Sequence, residues 1–169
     1  MTIHDGTVYK NAMNLIVKKS RNGKGIFAER EFAPGEVLFE VTGRFISGDE
    51  DEDISGTDRD NAFRFDEDSY ITPGDSIGAF LNHSCEPNAK VVKKDDRLFV
   101  VAADAVHKGA EVLIDYSTIT AADDTWEMPC NCGSETCRGV VKSFDKLPAA
   151  LRAAYQKRGM VPEYIVGAQ

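Results

Sequence analysis

No apolar run in this 169-residue chain approaches the roughly 20 residues that a membrane-spanning helix requires. Met1 to Tyr9 is short and polar, without the apolar stretch and small-residue cleavage site of an export signal. The expectation is therefore an intracellular, reducing location; nucleus and bacterial cytosol are not separated, and secretion as an effector stays open. Positive charge is also scarce. Twenty Lys and Arg face 28 Asp and Glu, giving a formal charge of −8. Nucleic-acid affinity depends on clustered cations, so no direct nucleic-acid binding is expected, and an acidic surface favours basic partners instead. Internal repeats are absent, and the length suits one domain able to bury a core.

Cysteine is sparse but not scattered. Of four in the chain, three lie in Cys130-Asn131-Cys132-Gly133-Ser134-Glu135-Thr136-Cys137, and the fourth is Cys85. In a reducing compartment clustered thiols bind metal more often than they form bridges, and a Cys-x-Cys pair is poorly spaced to bridge to itself. Zinc takes four soft ligands in a tetrahedron. Three clustered thiolates leave one vertex, which Cys85 can fill; His83 and His107 are the other candidates, and free structural thiols are the alternative to any metal.

Along the chain the signals are mostly short strands. Leu15-Ile16-Val17, Ile26-Phe27-Ala28 and Val37-Leu38-Phe39 are punctuated by Asn22-Gly23 and Pro34-Gly35. Phe63 and Phe65 alternate with Ala62 and Arg64 as on a half-buried strand. Val91-Val92 and Leu98 to Val101 flank Lys93-Lys94-Asp95-Asp96 and read as a hairpin. Gly48 to Asp60, with Asp49-Glu50-Asp51-Glu52-Asp53, reads as a solvated loop that can also attract a basic tail. Leu151, Ala154 and Tyr155 recur at helical spacing between Pro148 and Gly159, predicting one amphipathic helix.

Four segments then occur in order: Asn22-Gly23-Lys24-Gly25-Ile26-Phe27-Ala28, Phe80-Leu81-Asn82-His83-Ser84-Cys85-Glu86-Pro87-Asn88, Glu111 to Tyr116, and the cysteine cluster ending in Cys137-Arg138-Gly139. Together they closely resemble a SET-domain protein-lysine methyltransferase with a zinc-binding post-SET segment. The resemblance implies an α+β, mostly β fold: a SET-type β-clip of short strands with pseudoknot-like threading, a post-SET zinc knuckle and a C-terminal helix. Its expected units are 14–117, 125–141 and 145–169. It implies methylation of a lysine on a protein, a histone or another basic protein, with S-adenosyl-L-methionine as donor and one structural Zn2+.

The resemblance also assigns roles. Tyr116 is the catalytic residue, beside the transferred methyl. Lys24, Gly25 and Ile26 belong to the cofactor loop, where Gly23 and Gly25 let the backbone approach a ligand and Lys24 offers a charge to its carboxylate. Asn82 and His83 match the adenine-binding pair. Tyr70 and Trp126 fall at the cofactor or lysine pocket, where an indole can attract a sulfonium or alkylammonium. Cys85, Cys130, Cys132 and Cys137 are the metal ligands. The family pattern is broken at Val41, Arg44, Ala79 and Leu113, which leaves substrate choice open. Ile119 lies near the position that governs methylation degree, where no aromatic aligns. A non-catalytic SET-like cofactor- or peptide-binding module is the alternative, and a zinc-stabilised interaction module the third reading. A homodimer through the C-terminal helix is left open.

Overall fold

The structure, a computed structural model, describes residues 12–47 and 56–167. The acidic run Asp49 to Asp53 lies outside them. Short strands dominate. An antiparallel hairpin opens the fold: β1 (Leu15–Ser20) and β2 (Gly23–Ala28) pair from Leu15↔Ala28 to Ser20↔Gly23. Gly23 takes φ +86°, which an L side chain rarely adopts, so the expected Asn-Gly turn sits where the backbone needs it.

A three-stranded sheet forms the centre, in the order β3 (Val37–Val41), β9 (Arg97–Ala102), β8 (Ala89–Lys94). Val91, Leu98 and Val100 are almost fully buried there. The β8–β9 connection is Asp95-Asp96, with φ of +50° and +54°, the left-handed pair of a tight hairpin turn. A second three-stranded sheet has β6 (Ser69–Thr72) between β4 (Arg44–Ser47) and β5 (Phe63–Arg64). Two small pairs complete the strands among the described residues. β7 (Asn82–His83) runs parallel to β10 (Leu113–Ile114), and β11 (Met128–Pro129) is antiparallel to β12 (Val140–Val141).

The structure corrects the sequence reading at three places. The predicted in–out alternation around Phe63 fails, because Phe63, Arg64 and Phe65 are all buried. Arg64, 1% exposed, is accommodated by carboxylates described below. The end of the presumed loop, Gly56–Asp60, is a short helix, α1. The C-terminal tail carries two helices rather than one: α2 (Ala149–Lys157) follows Pro148 and ends before Gly159 at φ +59°, and α3 is Glu163–Gly167. Of the three residues at helical spacing on α2, Tyr155 is buried, Leu151 half-buried and Ala154 exposed.

Two apolar clusters result. The larger joins the strands through Leu15, Ile26, Phe39, Leu98 and Ile114. The smaller packs Tyr155, Met160 and Ile165 of the tail against Ala121, Phe144 and Leu147, and Tyr164 touches both clusters. Between β3 and β4 the backbone passes so close to β6 that a Cβ on Gly43 would lie 2.0 Å from the Thr72 carbonyl oxygen. Backbone cannot give way as a flexible side chain does. Gly43→Ala is therefore expected to destabilise the fold by about 1–3 kcal/mol, read by thermal or urea unfolding.

Candidate active site

The parallel pair β7–β10 brings two distant motifs side by side, with Asn82 opposite Leu113 and His83 opposite Ile114. Asn88 locks the crossing: its Nδ2 donates to the Glu111 carbonyl at 2.8 Å and its Oδ1 accepts from the Leu113 amide at 2.9 Å. Asn82 faces the β1–β2 hairpin. Its amide nitrogen reaches the Lys24 carbonyl at 2.9 Å and the Glu111 carboxylate at 2.8 Å. Gly25 lies against the same groups, since a Cβ there would sit 2.0 Å from Glu111 Oε1 and 3.0 Å from Asn82 Nδ2. Lys24, Gly25 and Asn82 thus share one cradle, and open space surrounds the place a Gly23 side chain would take. Ile26 turns its side chain into the core.

Tyr116 begins the 3-10 turn Tyr116–Ile119, which follows β10 and is capped by Asp115, whose side chain accepts from the Ser117 amide. The Tyr116 hydroxyl donates to the Leu81 carbonyl at 2.6 Å. Burial, and then the Glu111 charge, push its pKa well above the ordinary phenol value, so it is a neutral hydroxyl near pH 7. The His83 ring is 5.3 Å from the Tyr116 ring, and its Nδ1 accepts from the Tyr116 amide at 3.0 Å. Burial lowers the His83 pKa to about 4, partly opposed by Asp115, so the ring is neutral. The approach of Asp115 Oδ1 at 3.6 Å is therefore not an ion pair. With Nδ1 accepting, the ring proton is on Nε2, which points at Cys85 Sγ 3.4 Å away. The imidazole bridges Cys85 and Tyr116 inside the protein, while Asn82 faces the cradle.

β11 and β12 close a loop that carries the clustered cysteines, and the Cys130 amide donates to the Gly139 carbonyl. His83, Cys85, Cys130 and Cys132 place their donor atoms within 4.8 Å of one another. Cys137, the remaining predicted ligand, stands outside that group, with its Sγ 3.9 Å from the Cys130 carbonyl oxygen. The Cys85–Cys130 sulfur separation is 3.8 Å, far beyond a disulfide. It matches the edge of about 3.8 Å in a tetrahedron with sulfurs about 2.3 Å from zinc. Burial pushes the Cys85 thiol up, so close-packed thiolates here call for a cation. The cluster is compatible with zinc. His107 is elsewhere, on the surface with Glu31 at 2.8 Å. The cysteine loop docks on the hairpin through a reciprocal amide pair, Asn22 Nδ2 to the Asn131 carbonyl and Asn131 Nδ2 to Asn22 Oδ1.

Tyr116 lines a cavity of about 370 Å³, walled with it by Tyr70, Leu81, Ile119, Asp124 and Trp126 among others. The Trp126 ring is 6.1 Å from that of Tyr116. Tyr70 and Trp126 therefore gather with Tyr116 at the cavity, while Lys24, Gly25 and Asn82 gather at the hairpin. Sequence reasoning missed the group that shapes this wall. Arg64 donates to Asp123 at 2.6 Å and to Asp124 at 3.2 Å, and Asp124 accepts the Tyr70 hydroxyl at 2.6 Å and the Ala121 amide. The one available signal was a charge between two phenylalanines, together with an acidic doublet 59 residues on.

A family model described as the SET domain matches residues 23–117. The chain belongs to the SET-domain family. Its similarity extends to much larger proteins. It is 31% identical over 129 residues to a "Histone-lysine N-methyltransferase, H3 lysine-4 specific" of Cryptococcus neoformans, covering 69% of the chain and 9% of that relative. Identity to "Histone-lysine N-methyltransferase set-2" of Caenorhabditis elegans is 30% over 143 residues, covering 78% and 9%. Human "Histone-lysine N-methyltransferase 2B" is 28% identical over 134 residues, covering 73% and 5%. The chain thus spans less than a tenth of the length of these relatives. Its fold is that of a SET domain, α+β and mostly β.

The Arg64 group generates a stability prediction. Removing a buried cation leaves Asp124 without its ion-pair partner, though still hydrogen-bonded to Tyr70 and Ala121, so Arg64→Leu is expected to cost on the order of 3 kcal/mol at neutral pH. The Arg64 hydrogen bond lowers the Asp123 pKa. Its contribution is therefore present above the ordinary carboxylate pKa near 4 and lost as pH falls through the lowered value. The gap between wild type and variant should narrow in acid, as measured by urea unfolding between pH 7 and pH 3.

Proposed function

We propose that this SET domain is a protein-lysine N-methyltransferase that takes S-adenosylmethionine as methyl donor and a protein with an exposed lysine as acceptor. The observation that carries this reading is the placement of Tyr116. Its neutral hydroxyl is fixed to the carbonyl of Leu81, which lines the aromatic-walled cavity with it and is followed in the chain by Asn82 of the Gly25 cradle. A transfer between two ligands needs such a point where both sites meet.

The residues present fit the donor. Open space surrounds the Gly23 position, the bare Gly25 backbone lets Glu111 and Asn82 close against the hairpin, and Lys24 supplies a cation for a carboxylate. When bound, S-adenosylmethionine supplies an electrophilic methyl group on a sulfonium. The chain's part is to hold and desolvate the acceptor. A lysine side chain entering between Tyr70, Ile119 and Trp126 meets aromatic and apolar groups, and the Asp124 carboxylate in the same lining is already paired with Arg64. Its amine ordinarily titrates near pH 10.4 and must be neutral to react, at a cost of roughly 4 kcal/mol at about pH 7.4. Apolar burial makes the neutral form easier to reach. The Tyr116 oxygen retains lone pairs that can accept an amine N–H, which orients the nucleophile without making the phenol a base. The proton leaves to water along the open side of the cavity.

The zinc ligands in this reading are Cys85, Cys130, Cys132 and Cys137. His83 sits close enough to serve, but its Nε2 carries the proton and donates toward Cys85. A ligating thiolate that accepts such a hydrogen bond is better oriented. The metal's role is structural: it ties the loop after β11 to the segment that carries Asn82 and His83. A basic protein is the acceptor best matched to the net charge of −8, and the names of the relatives make histones the first to try. This reading places the protein inside the cell.

Two measurements test it. Purified protein incubated with methyl-radiolabelled donor and histones or cell extract should label a protein band, and Tyr116→Phe should cut labelling by about 10²-fold. Equal labelling by the variant removes Tyr116 from the mechanism. Absence of labelling by protein that binds the donor would make it a binding module. Zinc content should be one ion per chain, retained in His83→Gln and reduced in Cys137→Ser; the reverse pattern would make the imidazole the fourth ligand.

A further inference from the structure

Two hydroxyls from the C-terminal tail reach back to the cavity's supports. Tyr155 on α2 is buried, and its hydroxyl donates to Asp115 Oδ2 at 2.9 Å. The other oxygen of that carboxylate accepts from Arg138 Nη2 at 2.8 Å and from the Ser117 amide at 3.0 Å. Asp115 immediately precedes Tyr116, so its orientation sets where the 3-10 turn begins. Tyr164 on α3 donates to the Arg64 carbonyl at 2.9 Å. The Arg64 side chain then holds Asp123 and Asp124, and Asp124 holds the Tyr70 hydroxyl at the cavity wall. One tail tyrosine therefore ends the network behind Tyr116, and the other ends the network behind Tyr70 and the strand of chain that leads to Trp126.

Packing alone does not account for this. Both rings fill apolar clusters, and phenylalanine would fill them as well. A buried hydroxyl is unfavourable unless it is hydrogen-bonded, and these two are bonded to residues just behind one cavity, to Asp115 beside Tyr116 and to Arg64 beside Phe63. We propose that Tyr155 and Tyr164 are positioning residues for this cavity, Tyr155 for Tyr116 and Tyr164 for Tyr70. The proposal deepens the methyltransferase reading and rests on it for its kinetic consequence. Tyr155 acts on the reacting geometry through Asp115 and Tyr116. Tyr164 acts on the reception of the acceptor side chain through Arg64, Asp124 and Tyr70.

The experiment compares Tyr155→Phe and Tyr164→Phe with wild type in the full chain. Each variant keeps its ring and loses only the hydroxyl. Steady-state transfer of radiolabelled methyl to whichever protein band wild type labels gives kcat and KM separately. The chain has one tryptophan, so fluorescence emission reports Trp126 at the cavity without any turnover. Tyr155→Phe should lower kcat about tenfold with little change in KM, as expected for misplaced reacting groups. Tyr164→Phe should raise KM about tenfold with little change in kcat, and should shift Trp126 emission to longer wavelength as the wall loosens. Melting temperatures that fall while kcat, KM and emission stay at wild-type values would overturn the proposal and leave the tyrosines as fold stabilisers. If wild type labels nothing, the methyltransferase reading fails separately. The emission of Tyr164→Phe then decides for the tail: a red shift supports the positioning role, and an unchanged spectrum overturns it.

Discussion

The carboxylate of Asp115 is the point on which the rest of the site depends. It is almost fully buried, and an ionised carboxylate in that position is costly unless it is paired and hydrogen-bonded. Three separate parts of the chain supply the partners: the turn at Ser117, Arg138 beyond the cysteines, and Tyr155 of the tail. Loss of any one leaves a buried charge underserved. The requirement couples segments far apart in the chain, and it fixes them around the residue that follows Asp115.

A second chain of contacts runs from sulfur to phenol. Cys85 faces the His83 ring, whose far nitrogen takes the Tyr116 amide. The Arg138 amide also points at Cys85 Sγ, so the same arginine that serves Asp115 touches the thiol. The metal-compatible cluster and the carboxylate network are thus two views of one rigid junction. Tyr116 stands where they meet, with its hydroxyl directed away toward Leu81.

Much of this was legible in the residues. The order of the four motifs named the family, the grouped cysteines foretold a metal-compatible loop, and Lys93-Lys94-Asp95-Asp96 marked a hairpin, which the structure turns at Asp95-Asp96 alone with two left-handed residues. What escaped notice has a common cause. Arg64 with Asp123, and Asp115 with Tyr155, are pairs separated by 59 and 40 residues, and such pairing leaves no periodic trace for a sequence pattern to reveal. Arg64 in particular resembled the polar half of an alternating strand until its partners were in view. The direction of the His83 ring was hidden for a different reason. A motif gives the residue, whereas the hydrogen bond to the Tyr116 amide gives the side it faces.

The reach of these bonds has a consequence for how the molecule comes into being. As the chain grows from its N-terminus, Arg64 is made long before Asp123 and Asp124, and its carbonyl waits across 100 residues of separation for Tyr164. Until then the guanidinium is better off in water than in the core it will occupy. Loops of that span close slowly because their entropy must be surrendered before the contact rewards it. The strand hairpins can therefore form early and locally, while the cavity is completed at the end, when the tail settles. The contacts that complete the cavity's supports are thus among those with the greatest separation along the chain.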